Sequence, residues 1–181
     1  MLFSLTACGD SSYTTDIFAM DTVMKLTANG ANAQTGVEAA VREINRLESQ
    51  LSNTIASSEI SQLNAGGSGT VSEETAQLLT AALTYAQKTD GAFDMTIAPV
   101  VSAWGITTDT PRVPSQEEIT SLLQLVGSQH VTVSGTAVTL DAGCSVDLGG
   151  IAKGYASDRI AAIFAENGVT SGVVSLGGNV Y

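Results

Sequence analysis

The sequence holds one histidine and two cysteines, Cys8 and Cys144, in 181 residues. Two cysteines are too few for a disulfide framework, and they show no metal-ligand spacing. With His130 alone, the chain is poorly equipped for a zinc site or a Ser-His-Asp triad. Basic residues are scarce as well: seven Lys and Arg stand against eighteen Asp and Glu, for a net charge of −11. Binding nucleic acid takes basic surface that displaces counterions from phosphates, so no nucleic-acid partner is expected. The same balance disfavours electrostatic anchoring to an anionic bilayer. No run of 18 apolar residues occurs, so nothing in the sequence reads as a membrane span. Chemistry is left to carboxylates, backbone amides, a lysine and a hard metal ion.

What is present is a globular chain. Apolar residues make up 44% of it in a regular pattern, which argues against disorder, and the length suits one domain. The start reads as an address. Leu5-Thr6-Ala7-Cys8 resembles a bacterial lipobox, whose cysteine receives the lipid, and Gly9-Asp10-Ser11-Ser12 reads as a polar tether. Residues 1–14 are therefore expected to be signal remnant and tether, ahead of a domain over 15–181. The implied location is the extracytoplasmic face of a bacterial membrane, held by lipid on Cys8. Only seven residues precede Cys8 and none is basic, so the rest of such a signal is expected upstream.

Along the chain, residues 16–28 alternate as a strand and Asn29-Gly30 turns it. Thr35 and Glu38 fit a capping box, followed by an apolar face of Val37, Val41, Ile44, Leu47 and Leu51. Arg42, Glu43 and Arg46 fall on the solvated side. Ser52 to Gly69 reads as a loop with a turn of helix at Ser58–Leu63. Ser72 caps the next helix, with Leu79, Leu83 and Ala86 inward, and Asp90-Gly91 stops it. Ser115 opens another, with Ile119, Leu122, Leu123 and Val126 inward. Residues 130–134 and 136–140 read as a hairpin about Gly135. A helix over 150–166 and a strand over Ser171–Leu176 follow, and the Gly177-Gly178 turn implies a fold that continues. Helices and strands mix without strict βαβ alternation, so the expected class is α+β with antiparallel sheet.

Three segments are unusual for scaffold alone. Thr89–Pro99 sets two aspartates and small residues around Phe93, and could hold Asp94 for a ring or hydroxyl as readily as it could turn the chain. Asp147-Leu148-Gly149-Gly150-Ile151-Ala152-Lys153 carries glycines into a helix. This is either a tight strand-to-helix turn capped by Asp147 or an anion cradle, with Lys153 supplying positive charge. It is neither a Walker A loop nor Gly-x-Gly-x-x-Gly. Ser175–Asn179 is a third glycine turn.

In this order the segments resemble the ApbE family of flavin transferases. The resemblance rests on Met20-Asp21-Thr22, Ser58–Asn64, Gly91-Ala92-Phe93-Asp94 with Pro99 and Trp104-Gly105, Asp147–Ala156 with Asp158, and Ser175–Asn179. It implies a magnesium-dependent FAD:protein FMN transferase, which moves FMN from FAD onto a threonine or serine of a target flavoprotein. It further implies FAD contacts at Met20, Ala92, Phe93, Asp94, Asp147 and Lys153, and a magnesium-holding backbone carbonyl at Gly150. Thr54 falls where many members place an aromatic for flavin or adenine stacking. No catalytic residue follows from it. Members continue past the Ser-Leu-Gly-Gly-Asn turn into a His-x-x-Asp-Pro-x-Thr-Gly segment and a late acidic segment that completes the metal site. This sequence contains neither, so the resemblance is to the N-terminal part. The alternatives are a non-catalytic FAD-binding lipoprotein or half of a two-chain enzyme.

Overall fold

The computed structural model describes residues 11–106 and 108–181. Cys8 and the expected lipobox lie outside those residues. In chain order the elements are β1 (Ser12–Ala19), β2 (Thr22–Asn29), α1 (Ala33–Leu51), α2 (Glu59–Gly66), β3 (Ser68–Thr70), α3 (Glu73–Lys88), α4 (Ala98–Trp104), α5 (Gln116–Leu122), β4 (Val131–Ser134), β5 (Ala137–Leu140), α6 (Gly149–Glu166), β6 (Ser171–Leu176) and β7 (Asn179–Val180). Short 3-10 turns occupy Met95–Ile97, Leu123–Leu125 and Ser128–His130. The class is α+β with antiparallel sheets, as the sequence implies. None of the described helices is long and apolar enough to cross a membrane. The chain divides into two compact units, one built from the residues up to Arg46 and from Lys153 onward, the other from Leu47–Ala152.

The first unit carries a sheet in the order β1-β2-β6-β7. The single strand expected over 16–28 is in fact the hairpin β1–β2, paired from Ser12↔Asn29 to Ala19↔Thr22. Its turn is Met20-Asp21, with φ of 49° and 58°. Two consecutive positive φ values are what a type I′ turn requires, and glycine, asparagine or aspartate normally supplies them. Methionine gives no such signal, so the alternation reads straight through. β1 also begins at Ser12, inside the stretch expected as tether. One face of the sheet buries Met24, Leu26, Ala28, Val174 and Leu176, while Phe18, Val23 and Val173 on the other are exposed.

Helix α1 starts earlier than the Thr35 capping box suggests. The Gly36 amide already donates to the Asn32 carbonyl at 2.9 Å, so the helical ladder begins ahead of Thr35. Glu38 takes a hydrogen bond from the Gln34 side chain instead of reaching back. Gly36 is required by packing, because a Cβ there would sit 2.7 Å from Val169 Cγ2. Val37, Ile44, Leu47 and Leu51 are buried as the spacing demands. Glu43 is not merely solvated. It accepts from Arg46 Nε at 2.8 Å and from Arg159 Nε on α6 at 3.0 Å, with 12% of its side chain exposed. The Arg46 hydrogen bond chiefly, and then Arg159, hold its carboxyl at about 2 against the opposing effect of burial.

In the second unit, serines set the helix starts. Ser58 accepts from the Ser61 amide, Ser72 from Thr75 and Ser115 from Glu118. A second sheet, β3-β5-β4, is antiparallel throughout. β3 lies in the stretch expected as loop. Its Ser-Gly-Thr sequence is exposed at all three residues, so no apolar alternation marks it. α4 begins inside the Thr89–Pro99 segment, and Pro99 sits in its first turn, where a missing N–H costs nothing. The inward face expected of α5 and the residues after it is only partly formed: Ile119, Leu122 and Val126 are half-buried, and Leu123 is 46% exposed.

Glu43 generates a prediction. Its folded-state pKa lies below the usual 4.5, so its contribution is present above that value and fades as pH falls toward 2. Glu43→Gln should cost roughly 1–2 kcal/mol at pH 7, since both arginines are partly water-screened. Urea melts of both proteins from pH 7 to 2 should show the gap closing at the acid end; a gap that persists at pH 2 would refute the pairing.

Candidate functional site

The site grows from the C-terminal end of α3. Thr89 Oγ1 donates to the Tyr85 carbonyl at 2.8 Å and accepts from the Phe93 amide at 3.0 Å. Asp90 and Gly91 then take φ of 52° and 77°. An aspartate tolerates the left-handed region better than most residues, and glycine occupies it freely. The result is a tight reversal that presents Ala92, Phe93 and Asp94. Asp94 caps the 3-10 turn at Met95–Ile97: its Oδ1 accepts from the Thr96 amide at 2.8 Å and from the Thr96 hydroxyl at 2.6 Å. Met95 and Thr96 are buried behind it.

The second half is the segment entering α6. Asn64 holds Val146 as a neighbouring strand would: its Nδ2 donates to the Val146 carbonyl at 2.9 Å, and its Oδ1 accepts from the Val146 amide at 2.8 Å. The Asp147 amide donates to the Met95 carbonyl at 2.8 Å, which joins this segment to the Asp94 turn. Asp147 Oδ1 accepts from the Gly149 amide at 2.7 Å, and Oδ2 accepts from Asn53 Nδ2 at 2.8 Å. The amides of Ile151 and Ala152 both donate to the Leu148 carbonyl. Of the two readings of this turn, the Asp147-capped one describes the hydrogen bonding. The Gly149 amide is already taken, so the cradle offers fewer open N–H groups than the glycines alone suggest.

The two halves line one cavity of about 530 Å³ within the second unit. Ala92, Phe93 and Asp94 lie on it, as do Asp147, Gly149 and Gly150. Leu123, Val126, Ile97 and Val101 supply apolar lining. Leu123 and Val126 are thus directed to a cavity instead of to the core. Gly150 permits close packing here, since a Cβ would lie 2.9 Å from Phe93 Cε2.

The remaining candidates sit elsewhere in the chain. Met20 is in the β1–β2 turn of the first unit, and Lys153 is the fifth residue of α6, also in the first unit. Thr54 is exposed in the loop after α1, its amide and hydroxyl bonded to the Ser52 side chain. Its neighbour Asn53 is the residue that reaches Asp147. Sequence reasoning gave no role to Asn53, Asn64 or Thr96, although Asn64 stands in the run that carries the resemblance. His130 pairs with Asp141 at 2.9 Å at the hairpin base, and burial raises the Cys144 thiol above its ordinary value.

A magnesium ion asks for about six oxygen ligands in near-octahedral geometry. No group of three His, Cys, Asp or Glu side chains suited to a metal occurs among the described residues. Gly150 could offer one backbone carbonyl, and both oxygens of Asp147 already accept protein hydrogen bonds. This donor set does not fit a magnesium ion held by these residues alone.

Comparison with known proteins gives the family and the fold. The ApbE family model matches residues 20–181. An FAD:protein FMN transferase of Escherichia coli K12 is 36% identical over 115 residues, covering 60% of this chain and 33% of that protein. The Vibrio cholerae enzyme of the same name is 30% identical over 159 residues, covering 84% and 47%. The crystal structure of the Thermotoga maritima ApbE protein superposes with a TM-score of 0.88 at 33% identity, covering 94% of this chain and 58% of that one. The flavin transferase ApbE from V. cholerae gives 0.84 at 26%, covering 94% and 59%. The chain therefore spans between a third and a half of the length of these curated relatives. Matched from Met20 to its last residue, and with this fold, the chain belongs to the ApbE family.

Proposed function

We propose that this chain is the flavin-nucleotide-binding part of an FAD:protein FMN transferase. The observation that carries the reading is the convergence of Ala92-Phe93-Asp94 and Asp147–Gly150, far apart in sequence, on one cavity. Its volume lies in the range of small-molecule sites, of order 300–1,000 Å³. Half of its lining is apolar, which suits one flat ring system of FAD. Asp94 and Asp147 are anionic, so they face ring N–H or hydroxyl donors and not phosphate oxygens. By the family resemblance we also assign nucleotide contacts to Lys153, whose charge suits phosphate, and to Met20 and Thr54.

In the reaction proposed, the hydroxyl oxygen of a threonine or serine on a target flavoprotein attacks the FMN phosphorus of FAD. A phosphorus–oxygen bond forms as the diphosphate bond breaks, AMP leaves, and the hydroxyl proton passes to solvent. Such transfers rest mainly on positioning and charge stabilisation. This chain's residues hold the nucleotide. Magnesium, if it accompanies the diphosphate, would need ligands beyond these residues, of which Gly150 could lend one carbonyl. The lipobox-like Leu5-Thr6-Ala7-Cys8 supports lipid attachment at Cys8, a tether through residue 14, and residence on the extracytoplasmic face of a membrane.

Three predictions follow from this reading. FAD should raise the melting temperature of the chain by several degrees, and Asp94→Ala or Lys153→Ala should remove most of the gain. Unchanged protection in both variants would displace the site; a further rise with Mg²⁺ added would support a metal accompanying the nucleotide. Gly150→Ala should weaken FAD affinity about tenfold, because the new Cβ pushes the Phe93 ring. The unliganded protein should lose little, since alanine favours a helix over glycine by up to about 1 kcal/mol; equal affinities by fluorescence titration would contradict this. Finally, Cys8→Ser should move the protein from the membrane to the soluble fraction in a bacterial host, and identical fractionation of the two forms would remove the anchor.

A further inference from the structure

Thr96 is fully buried, yet its hydroxyl is hydrogen-bonded in two directions. It donates to Asp94 Oδ1 at 2.6 Å and accepts from the Gly127 amide at 2.7 Å. A hydroxyl has one proton to give. The Gly127 N–H can only donate, so the hydroxyl proton goes to the carboxylate. Its direction is therefore fixed. Both bonds that Thr96 makes to Asp94, from the amide and from the hydroxyl, end on Oδ1. That restrains the carboxylate and keeps Oδ2 out of both bonds. Gly127 in turn follows Leu123 and Val126, which supply apolar lining to the same cavity. One buried hydroxyl thus ties the acidic rim to the apolar wall.

We propose that Thr96 is a positioning residue for the nucleotide site: its hydroxyl orients Asp94 and locks the Leu123–Val126 wall to it through Gly127. This rests on the flavin reading given above. A group so bonded on both sides cannot relax when one partner is removed. Valine at this position keeps the shape of threonine but leaves the Gly127 amide without its acceptor and Asp94 with a single bond. An unsatisfied buried donor and a carboxylate free to rotate both work against a preorganised site.

The test uses the whole chain and FAD as the probe. Fluorescence titration should show Thr96→Val weakening FAD binding about tenfold and Thr96→Ser restoring it to within about threefold. In an Asp94→Ala background the further loss from Thr96→Val should shrink to less than about twofold, because the residue acts through Asp94; a purely structural role would give the same loss in both backgrounds. Hydrogen exchange on the unmodified chain needs no variant to fold: saturating FAD should slow exchange at the Gly127 amide. Equal affinity of wild type and Thr96→Val, failure of serine to restore binding, additive losses, or a Gly127 amide indifferent to FAD would each overturn the inference and leave the flavin reading standing. If the wild-type chain binds no FAD, the flavin reading fails and this inference fails with it.

Discussion

The second unit depends on the Asp147 turn. Its carboxylate accepts from the Gly149 amide on one oxygen and from Asn53 on the other, while its own amide donates to the Met95 carbonyl. Three separate stretches of chain are thereby held at one residue. The first of these bonds fixes where α6 begins, because the first amides of a helix lack partners within it. The last sets the distance between the Asp94 turn and the helix start. Asn64 reinforces the arrangement by bonding both the amide and the carbonyl of Val146. Remove Asp147 and the Gly149 amide, the Asn53 side chain and the start of α6 all lose their common reference point.

Around that junction the chain accepts local costs. Asp90 sits at φ 52°, a conformation unfavourable for a side chain, just before Gly91-Ala92-Phe93-Asp94. Such positions persist only where their surroundings over-determine them. Here Thr89 does so, with its hydroxyl bridging the Tyr85 carbonyl and the Phe93 amide. Leu123 stays 46% exposed where a core position would have buried it. Burying a leucine is worth roughly 1.5–3 kcal/mol, so leaving it at a cavity sacrifices stability unless something apolar fills the space.

How much of this is legible in the sequence depends on the range of the interaction. Ser58, Ser72 and Ser115 announce their helices because a cap bonds an amide only three residues on. The hairpin about Gly135 is marked by alternation and by glycine at φ 59°. The Met20-Asp21 turn hides because its left-handed conformation is imposed by pairing on both sides, not by the residues in it. β3 hides because three exposed residues carry no pattern. In the site, the runs around Asp94 and Asp147 stand out by composition and by resemblance. The residues that hold them do not: Asn64 lies 82 positions from Val146, Asn53 lies 94 from Asp147, and Gly127 lies 31 from Thr96. No local periodicity encodes a partner at that distance.

The cavity is lined by acidic as well as apolar residues. Two carboxylates border it, in a chain of net charge −11. A phosphate placed against either would meet like charge in a partly desolvated space, which disfavours binding. The neutral donors of a nucleotide, its ring N–H groups and hydroxyls, meet no such penalty, and a carboxylate accepts from them strongly. On the proposed flavin reading, the carboxylates would thus favour the ends of the dinucleotide over its centre. That preference holds only while Asp94 and Asp147 keep their orientation. Asn53, Thr96 and the Gly149 amide, which touch these two carboxylates, would on that reading be as much a part of recognition as the carboxylates are.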